Sequence, residues 1–364
     1  MIDGRSIPGL AQYSGTELSQ DQDALAHCGI TKQYEEAQLN KFFAPSHLAA
    51  GLIVIGGAAT AWPAVGEDYP TKPIRLILPF PPGGPVDTFA RVLAPRLTAS
   101  FGQQVVLDNR PGASGRIAIE GGIRAAPDGY TMLMVSSSYA GTAATRKLNY
   151  DPVNDMAPVA LLTVSPQLMV VNPTVPAANV RELIDYAKTN PGKLNFGSSG
   201  TGGSIHLALE LFSQMAGIRM THVPYKGQGP AINEVVGGQI QLMSGSPLVI
   251  YPHVKSKRLR ALGVSSAKRA KAMPDIPAIA ETVPGYETLS WQAILGPKLL
   301  PNSLISRWNA ELNRILETPD LTARLAGDGV EVAGGPPKRF LDQLRSDVMK
   351  WKAVVKTAGI KVAD

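Results

Sequence analysis

The most constraining feature of the sequence is the segment 78–91, where a strand pattern changes into a helix pattern. The preceding residues 74–78 are aliphatic apart from one arginine, as is typical of a strand in a largely buried sheet. Between 89 and 97 large apolar residues recur every fourth position, which is the spacing of a helix face. Prolines at 79, 81 and 82 prevent both helix and sheet ladder, and Gly83-Gly84 allow a tight turn. The sequence therefore predicts a strand, a Pro-Gly loop and a helix N-terminus.

Such a loop allows two interpretations. It can be only a turn, or its free backbone N–H groups and the positive end of the helix dipole can hold an anion. A second segment repeats the order of elements: a strand at 194–196, a glycine-rich loop at 197–204, and an amphipathic helix from Ile205 to Met215. Two anion-receptive loops in two successive α/β segments predict two lobes that face one ligand.

The rest of the chain alternates strand and helix patterns, which favours a parallel or mixed sheet with helices on both faces. The apolar run 168–171 predicts a crossing into a second lobe, and residues 290–293 predict the return. The expected fold class is therefore α/β, with lobe I at 67–168 plus 292–364 and lobe II at 169–291. Crossing strands are expected to join the lobes, with a ligand cleft between them.

Residues 1–66 are not expected to belong to the fold. Basic and apolar residues from 41 to 59 form a segment too short to span a bilayer comfortably, and small residues follow it. This pattern predicts a cleaved signal peptide at about 39–66 and a periplasmic protein. Because polar residues precede the segment, we hypothesise that translation begins near Leu39. The alternative is a membrane-anchored or cytoplasmic protein with a disordered tail.

Composition excludes several classes of function. The net charge is +6 but no run of five basic residues occurs, so nucleic acid is not an expected partner. Cys28 is the one cysteine, so neither an intramolecular disulfide nor a thiolate metal cluster can form. Because it precedes the apolar segment, a lipid anchor on a cysteine after that segment is also excluded. The histidines lack metal-ligand spacing, so no metal site is expected. P-loop, dinucleotide-binding and nucleophile-elbow motifs are also absent, and no cofactor is expected.

Three residues near the loops have both a structural and a binding interpretation. His206, in the first turn of its predicted helix, either contacts a ligand as a neutral donor or pins the loop. Lys226 is either a ligand contact or a surface lysine. Asp87 is either a ligand contact or a cap for free N–H groups at the helix start.

Several motifs in order resemble one known family, the Bug receptors of tripartite tricarboxylate transporters. The resemblance covers about 69–363. It rests on Tyr69-Pro70-x-Lys72-Pro73-Ile74, Pro79-x-x-Pro82-Gly83-Gly84-x-x-Asp87, Asn109-Arg110-Pro111-Gly112-Ala113-x-Gly115, Pro127-Asp128-Gly129-Tyr130-Thr131, Tyr150-Asp151-Pro152, Gly197-Ser198-x-Gly200-x-Gly202 with His206-Leu207, Val223-Pro224-Tyr225-Lys226-Gly227, and Leu259-Arg260-Ala261-Leu262.

The resemblance implies a type II periplasmic-binding-protein fold that closes around a small carboxylate. In such receptors the loops matching 80–87 and 198–204 grip a carboxylate from opposite lobes, through backbone N–H groups and ordered water. One departure is Gly245, where many members carry Asp, so a ligand amino group or hydroxyl that this acid would bind is not expected to be recognised. The expected ligand-binding residues are Phe80, Pro82, Gly83, Gly84, Asp87, Ser136, Ser137, Ser199, Thr201, Gly202, Ser204, His206, Tyr225 and Lys226.

The expected function is capture of a mono-, di- or tricarboxylate and its delivery to membrane permease subunits. The protein is expected to be monomeric and not an enzyme, because no acid/base pair or nucleophile is arranged by motif. Two alternatives stay open: a ligand sensor for a membrane signalling partner, and an enzyme acting on a small carboxylate.

Overall fold

The computed structural model describes residues 69–112, 115–357 and 359–360. The predicted signal peptide at 39–66, the extension before it and Cys28 lie outside the described residues. The strands of the described part are β1 (Ile74–Leu78), β2 (Val105–Asn109), β3 (Thr131–Ser136), β4 (Met156–Pro166), β5 (Leu168–Val171), β6 (Asn195–Ser198), β7 (Thr221–Pro224), β8 (Leu242–Gly245), β9 (Arg260–Val264), β10 (Leu289–Pro297) and β11 (Glu331–Val332).

The helices lie between these strands or after them. They are α1 (Pro85–Phe101), α2 (Arg116–Ile123), α3 (Ser138–Thr145), α4 (Val180–Thr189), α5 (Ser204–Ala216), α6 (Gln228–Val236), α7 (Pro247–Lys255), α8 (Asn302–Leu316), α9 (Pro319–Gly327) and α10 (Pro337–Thr357). None of the helices in the described ranges is long and apolar enough to cross a membrane.

The strands form two separate sheets. The six-stranded sheet, in the order β11-β4-β10-β3-β1-β2, pairs β1 in parallel with β2 and β3, whereas β10 runs antiparallel to β3 and β4. The five-stranded sheet has the order β7-β6-β8-β5-β9, with β6 parallel to β7 and β8. We call the first sheet with its helices lobe I and the second sheet with its helices lobe II.

Each sheet is covered by helices on both faces, as the alternating pattern predicted. In lobe I, buried side chains of α1 and α8 pack on one face, and those of α2, α3 and α10 on the other. In lobe II, α4 and α5 pack on one face, and α6 and α7 on the other. Burial of these apolar faces is the main force that holds each lobe together.

Two passages of the chain between the sheets meet at one buried serine, Ser265. The chain leaves β4 and enters β5 at Gln167, and it returns to lobe I after Thr288. The Gln167 N–H donates to Ser265 Oγ at 2.7 Å, Ser265 Oγ donates to the Thr288 carbonyl, and the Thr288 N–H donates to the Ser265 carbonyl at 2.9 Å. Hydrogen bonds thus fasten the two crossings together. The boundaries expected from the sequence, 67–168 plus 292–364 for lobe I and 169–291 for lobe II, stay a prediction.

The strand, loop and helix order predicted at 74–97 and again at 194–215 is confirmed by β1 with α1 and by β6 with α5. Sequence reasoning missed β4, because both faces of this strand are buried and its pattern does not alternate. It also missed α3, an eight-residue helix of small side chains with no apolar stripe.

Candidate functional site

The Pro-Gly loop of lobe I is fastened to its helix by Asp87, whose side chain is only 3% exposed. One carboxylate oxygen accepts a hydrogen bond from the Gly83 N–H at 3.0 Å, and both oxygens accept from the Arg91 guanidinium. Asn109 Nδ2 donates to Asp87 at 3.2 Å and to the Phe80 carbonyl at 3.0 Å. Burial by itself raises the pKa of Asp87, but the hydrogen bonds from Arg91, Gly83 and Asn109 outweigh it and lower that pKa.

The glycine-rich loop of lobe II packs directly against lobe I. Gly202 has φ +81°, and a Cβ atom there would lie 1.9 Å from Thr145 Oγ1 in α3. Conversely, a Cβ atom on Gly141 would lie 2.4 Å from the Gly202 carbonyl oxygen. Ser137 Oγ donates to Ser204 Oγ at 3.0 Å across the same contact. The loop of lobe II therefore packs along the whole of α3, from Ser137 just before the helix to Thr145 at its end.

Between the lobes lies an inner cavity of about 30 Å³. None of the described residues that line it carries a charged side chain. Four of them are the first residues of helices that follow strands: Pro85 of α1, Ser138 of α3, Ser204 of α5 and Gln228 of α6. Ser199 also lines this cavity; the residue is 7% exposed, and its Oγ has no hydrogen-bond partner among the described residues.

An outer pocket of about 500 Å³ adjoins the inner cavity. Phe80 and Ser199 line both spaces. The outer pocket is also lined by Arg146 of lobe I and Lys226 of lobe II, and by no acidic residue of the part of the chain that the structure describes. The site therefore has an uncharged interior and a positively charged outer part.

The predicted site residues fall into four groups. The inner cavity is lined by Phe80, Gly84, Ser136, Ser137, Ser199 and Ser204, and the outer pocket by Phe80, Ser199, Thr201, Tyr225 and Lys226. Pro82, Gly83 and Asp87 line a third, open pocket on the outside of lobe I, while Gly202 and His206 line none of these spaces.

Several lining residues were not among the expected ligand-binding residues, although some of them lie in the loops and motifs described above. They are Pro81, Pro85, Val86, Ser138, Ile205, Gly227, Gln228 and Ser290 in the inner cavity and Pro79, Gly112, Gly115, Arg146, Gly200, Pro224 and Pro230 in the outer pocket. For Ser138 and Gln228 the available signal was a helix start directly after a strand, but neither helix was recognised.

His206 contacts the glycine-rich loop from the side of the lobe II core. Its ring is buried, with Nδ1 accepting a hydrogen bond from the Gly202 N–H at 3.2 Å. The ring stacks on His222 with centroids 3.9 Å apart, and His222 Nε2 lies 2.6 Å from Ser198 Oγ. Burial, and then the neighbouring His206, lower the pKa of His222 to about 3. The two imidazoles thus brace the loop that carries Ser199.

Gln228 occupies the space beside Gly245. A Cβ atom on Gly245 would lie 2.5 Å from Gln228 Nε2, so an acidic side chain at 245 could not coexist with this placement. The Gln228 amide is held by Ser246, which donates its N–H to Oε1 at 3.3 Å and accepts from Nε2 at 3.4 Å. A neutral amide therefore stands at this wall of the inner cavity.

Two α/β lobes that enclose an uncharged, polar cavity define a solute-binding class of protein. The chain belongs to the tripartite tricarboxylate transporter receptor family (TctC), whose model matches residues 89–360. It is 33% identical over 314 residues to Protein BugT of Bordetella pertussis, covering 85% of this chain and 96% of that protein.

Solved structures of similar proteins have the same fold. A structure of R. palustris Rpa4515 with adipate has a TM-score of 0.78 at 34% identity, covering 81% of this chain and all (100%) of that one. MatC (Rpa3494) from Rhodopseudomonas palustris with bound malate has a TM-score of 0.75 at 28% identity, covering 79% of this chain and 100% of the other. The two-lobed α/β solute-binding fold and the Bug-family resemblance are thereby confirmed.

Proposed function

We propose that this protein is an extracytoplasmic receptor that captures a small carboxylate between its lobes for a tripartite tricarboxylate transporter. The single observation that carries the proposal is the convergence of four helix N-termini, those of α1, α3, α5 and α6, on one uncharged cavity. A helix N-terminus carries N–H groups without intrahelical partners and a partial positive charge, so four of them together favour an anion without a cationic side chain.

The hydroxyl of Ser199 supports the same proposal independently. A buried hydroxyl without a partner is unfavourable, and a ligand oxygen at the cavity would satisfy it. Ser136 and Ser204 supply further hydroxyl groups around the space, and Ser137 donates its own hydroxyl hydrogen to Ser204 Oγ. Carboxylate oxygens accept several hydrogen bonds at once, so this donor-rich lining suits a carboxylate.

The lining also supports binding without chemical conversion. Among the described residues that line the inner cavity, none has a side chain that titrates near neutral pH and could act as a general acid or base. We propose that the protein is not an enzyme and that it acts as a monomer on a permease partner. We further propose that a signal peptide at about 39–66 directs the protein to the periplasm and is then cleaved.

A thermal-shift titration of the mature chain tests the proposal. Small carboxylic acids should raise the unfolding midpoint with concentration, since a ligand that binds only the folded state stabilises it by about 2.7 kcal/mol at one hundred times its Kd. The corresponding primary amides, which have the same shape but no charge, serve as controls. Stabilisation by the amides and not by any carboxylate would overturn the proposal.

A further inference from the structure

We propose that the open pocket on the outside of lobe I docks an acidic segment of the membrane permease. This pocket, of about 730 Å³, has as its walls the Pro-Gly loop at Pro82 and Gly83, the α1 segment from Asp87 to Arg96, and Arg324 of α9. The proposal rests on the proposed receptor function, because it names the surface through which the receptor meets its transporter.

The open pocket carries a surplus of positive charge. Arg91, Arg96 and Arg324 line it, and Asp87 is the one acidic residue among the described residues of its lining. Asp87 is buried, whereas Arg91 and Arg324 are exposed to solvent. A partner therefore meets guanidinium groups and not the carboxylate, so an acidic segment is attracted and a basic one repelled.

The guanidinium groups of the open pocket have donors left for a partner. Arg91 has five N–H donors, and Asp87 accepts one from Nε at 2.8 Å and one from Nη2 at 3.0 Å. Arg96 pairs with Asp320, an exposed acid at the start of α9. Arg324 forms no ion pair with any described residue. An incoming carboxylate can therefore bond Arg324 through two parallel hydrogen bonds without displacing another acid.

The shape of the surface favours a peptide segment over a small molecule. Arg91 and Pro95 also line a neighbouring pocket of about 560 Å³, so the two pockets form one groove along α1. Between Asp87 and Ala99 this groove follows the helix for about 18 Å. That distance is the length of about five residues of extended chain. Small-molecule sites enclose most of the ligand surface, whereas this groove is open along its length.

The Pro-Gly loop separates the open pocket from the inner cavity. Gly83 lines the open pocket, and the next residue, Gly84, lines the inner cavity. Asp87 holds the loop through the Gly83 N–H and is itself held by Arg91. A partner carboxylate on Arg91 competes with Asp87 for the guanidinium, which loosens the wall of the ligand cavity. Docking at this pocket therefore lowers the affinity for the ligand.

The first experiment titrates the mature chain with a peptide of five glutamates, acetylated and amidated at its ends, by calorimetry at low salt. Arg324→Glu should weaken peptide binding at least about fivefold, because the new side chain repels the peptide. Arg181→Glu is the matched control and should bind the peptide normally, since Arg181 is an exposed arginine of α4 outside both pockets of the groove. The corresponding glutamine peptide, which has the same length without charge, should not bind.

The same peptide tests the link to the ligand cavity. At saturation it should lower the affinity of the wild type for a bound carboxylate several-fold, and it should have no such effect on Arg324→Glu at the same concentration. An equal effect on both proteins would place the peptide in the cleft and overturn the link through Arg91.

The second experiment places the permease subunits in proteoliposomes and measures receptor-dependent uptake of a carboxylate that stabilises the receptor. Arg324→Glu should reduce uptake at least about fivefold. Its Kd for the carboxylate without peptide should equal that of the wild type, because Arg324 lines neither the inner cavity nor the outer pocket. Circular dichroism establishes that the variant retains its fold.

Each result decides for or against the docking surface. Peptide binding or uptake that Arg324→Glu leaves at the wild-type level overturns the proposal. Binding of phosphatidylglycerol vesicles that is lost in this variant, without an effect on the peptide, would also overturn it and assign the pocket to lipid. If the wild type binds no carboxylate while the peptide results hold, the proposed function fails and the acidic docking surface stands.

Discussion

Gly229, at the start of α6 in lobe II, lies so close to Gly83 of lobe I that a Cβ atom on Gly229 would come within 3.2 Å of the Gly83 carbonyl. The neighbouring Gly227 is equally close to lobe I, since a Cβ atom there would lie 3.1 Å from Pro81 Cδ. The Pro-Gly loop and α6 are therefore in contact across the cleft. A side chain at either glycine would require the Pro-Gly loop to move by a few tenths of an ångström.

Gly229→Val should hold the lobes apart and weaken ligand binding. Overpacking of this kind costs about 1–3 kcal/mol, which corresponds to about five- to 150-fold in Kd. Calorimetry with the best carboxylate measures the loss. Gly327→Val is the control, because Gly327 is also helical and a Cβ atom there meets nothing within 4 Å. Equal affinity of wild type and Gly229→Val would show that this contact does not form in the bound state.

Ser199→Ala should affect stability and binding in opposite directions. Removing a buried hydroxyl that has no partner among the described residues should raise the free energy of unfolding of the ligand-free protein by about 1 kcal/mol. Loss of a hydrogen bond to a charged ligand should weaken binding by about tenfold. Urea unfolding and calorimetry measure the two effects.

Ser244→Ala provides the matched control for Ser199. Its hydroxyl is also buried without a partner among the described residues, but Ser244 does not line either space of the site. This variant should be stabilised to a similar extent and should bind ligand normally. Weakened binding in both variants, or in neither, would contradict the assignment of Ser199.

Asp87→Asn should loosen the Pro-Gly loop, because the Arg91 and Gly83 hydrogen bonds lose their charged acceptor. We propose that Asp87 organises the loop without contacting the ligand, since its oxygens already accept hydrogen bonds within lobe I. The free energy of unfolding near neutral pH should fall by about 1–2 kcal/mol. The loss is smaller than for a fully buried ion pair, because solvent screens the half-exposed Arg91. Asp185→Asn, at an exposed position in α4, is the control.

The effect of Asp87→Asn should also depend on pH in a defined direction. Because the pKa of Asp87 is lowered on folding, its contribution is present above the unfolded-state value of 3.8 and is lost as pH falls through the lower folded-state pKa. Urea unfolding at a series of pH values from neutral to about 2 should show the two proteins converging in acid. A difference that stays constant over this range would contradict the role assigned to the carboxylate.

His222 should make the protein less stable in mild acid. Its pKa is 6.5 in an unfolded chain and about 3 in the folded protein, so between these values the unfolded state binds more protons and unfolding free energy rises with pH. His222→Phe keeps a ring for the stack on His206 but removes the titration. The variant should therefore show a flatter dependence between about pH 4 and pH 6, measured by urea unfolding; an unchanged slope would contradict this assignment.

The sequence was sufficient to predict the two loops and the family, but not to assign a role to each residue of the loops. Asp87 and His206 had both a binding and a structural interpretation, and the structure shows that their polar atoms contact the loops themselves. Thr201 and Lys226 lie in a different space from Ser137. Spacing along the chain indicates which residues share a loop, but not the direction in which each side chain points.

The sequence by itself determined the local elements: a Pro-Gly loop at 79–84 and a glycine-rich loop at 197–204, each between a strand and a helix. Proline, glycine and apolar periodicity act over a few residues, so this information is local. Only the tertiary structure decided that α3 and α6 also begin at the same cavity. That convergence depends on strand order and on how the two sheets face each other. These follow from contacts between residues far apart in the chain, which short-range patterns do not encode.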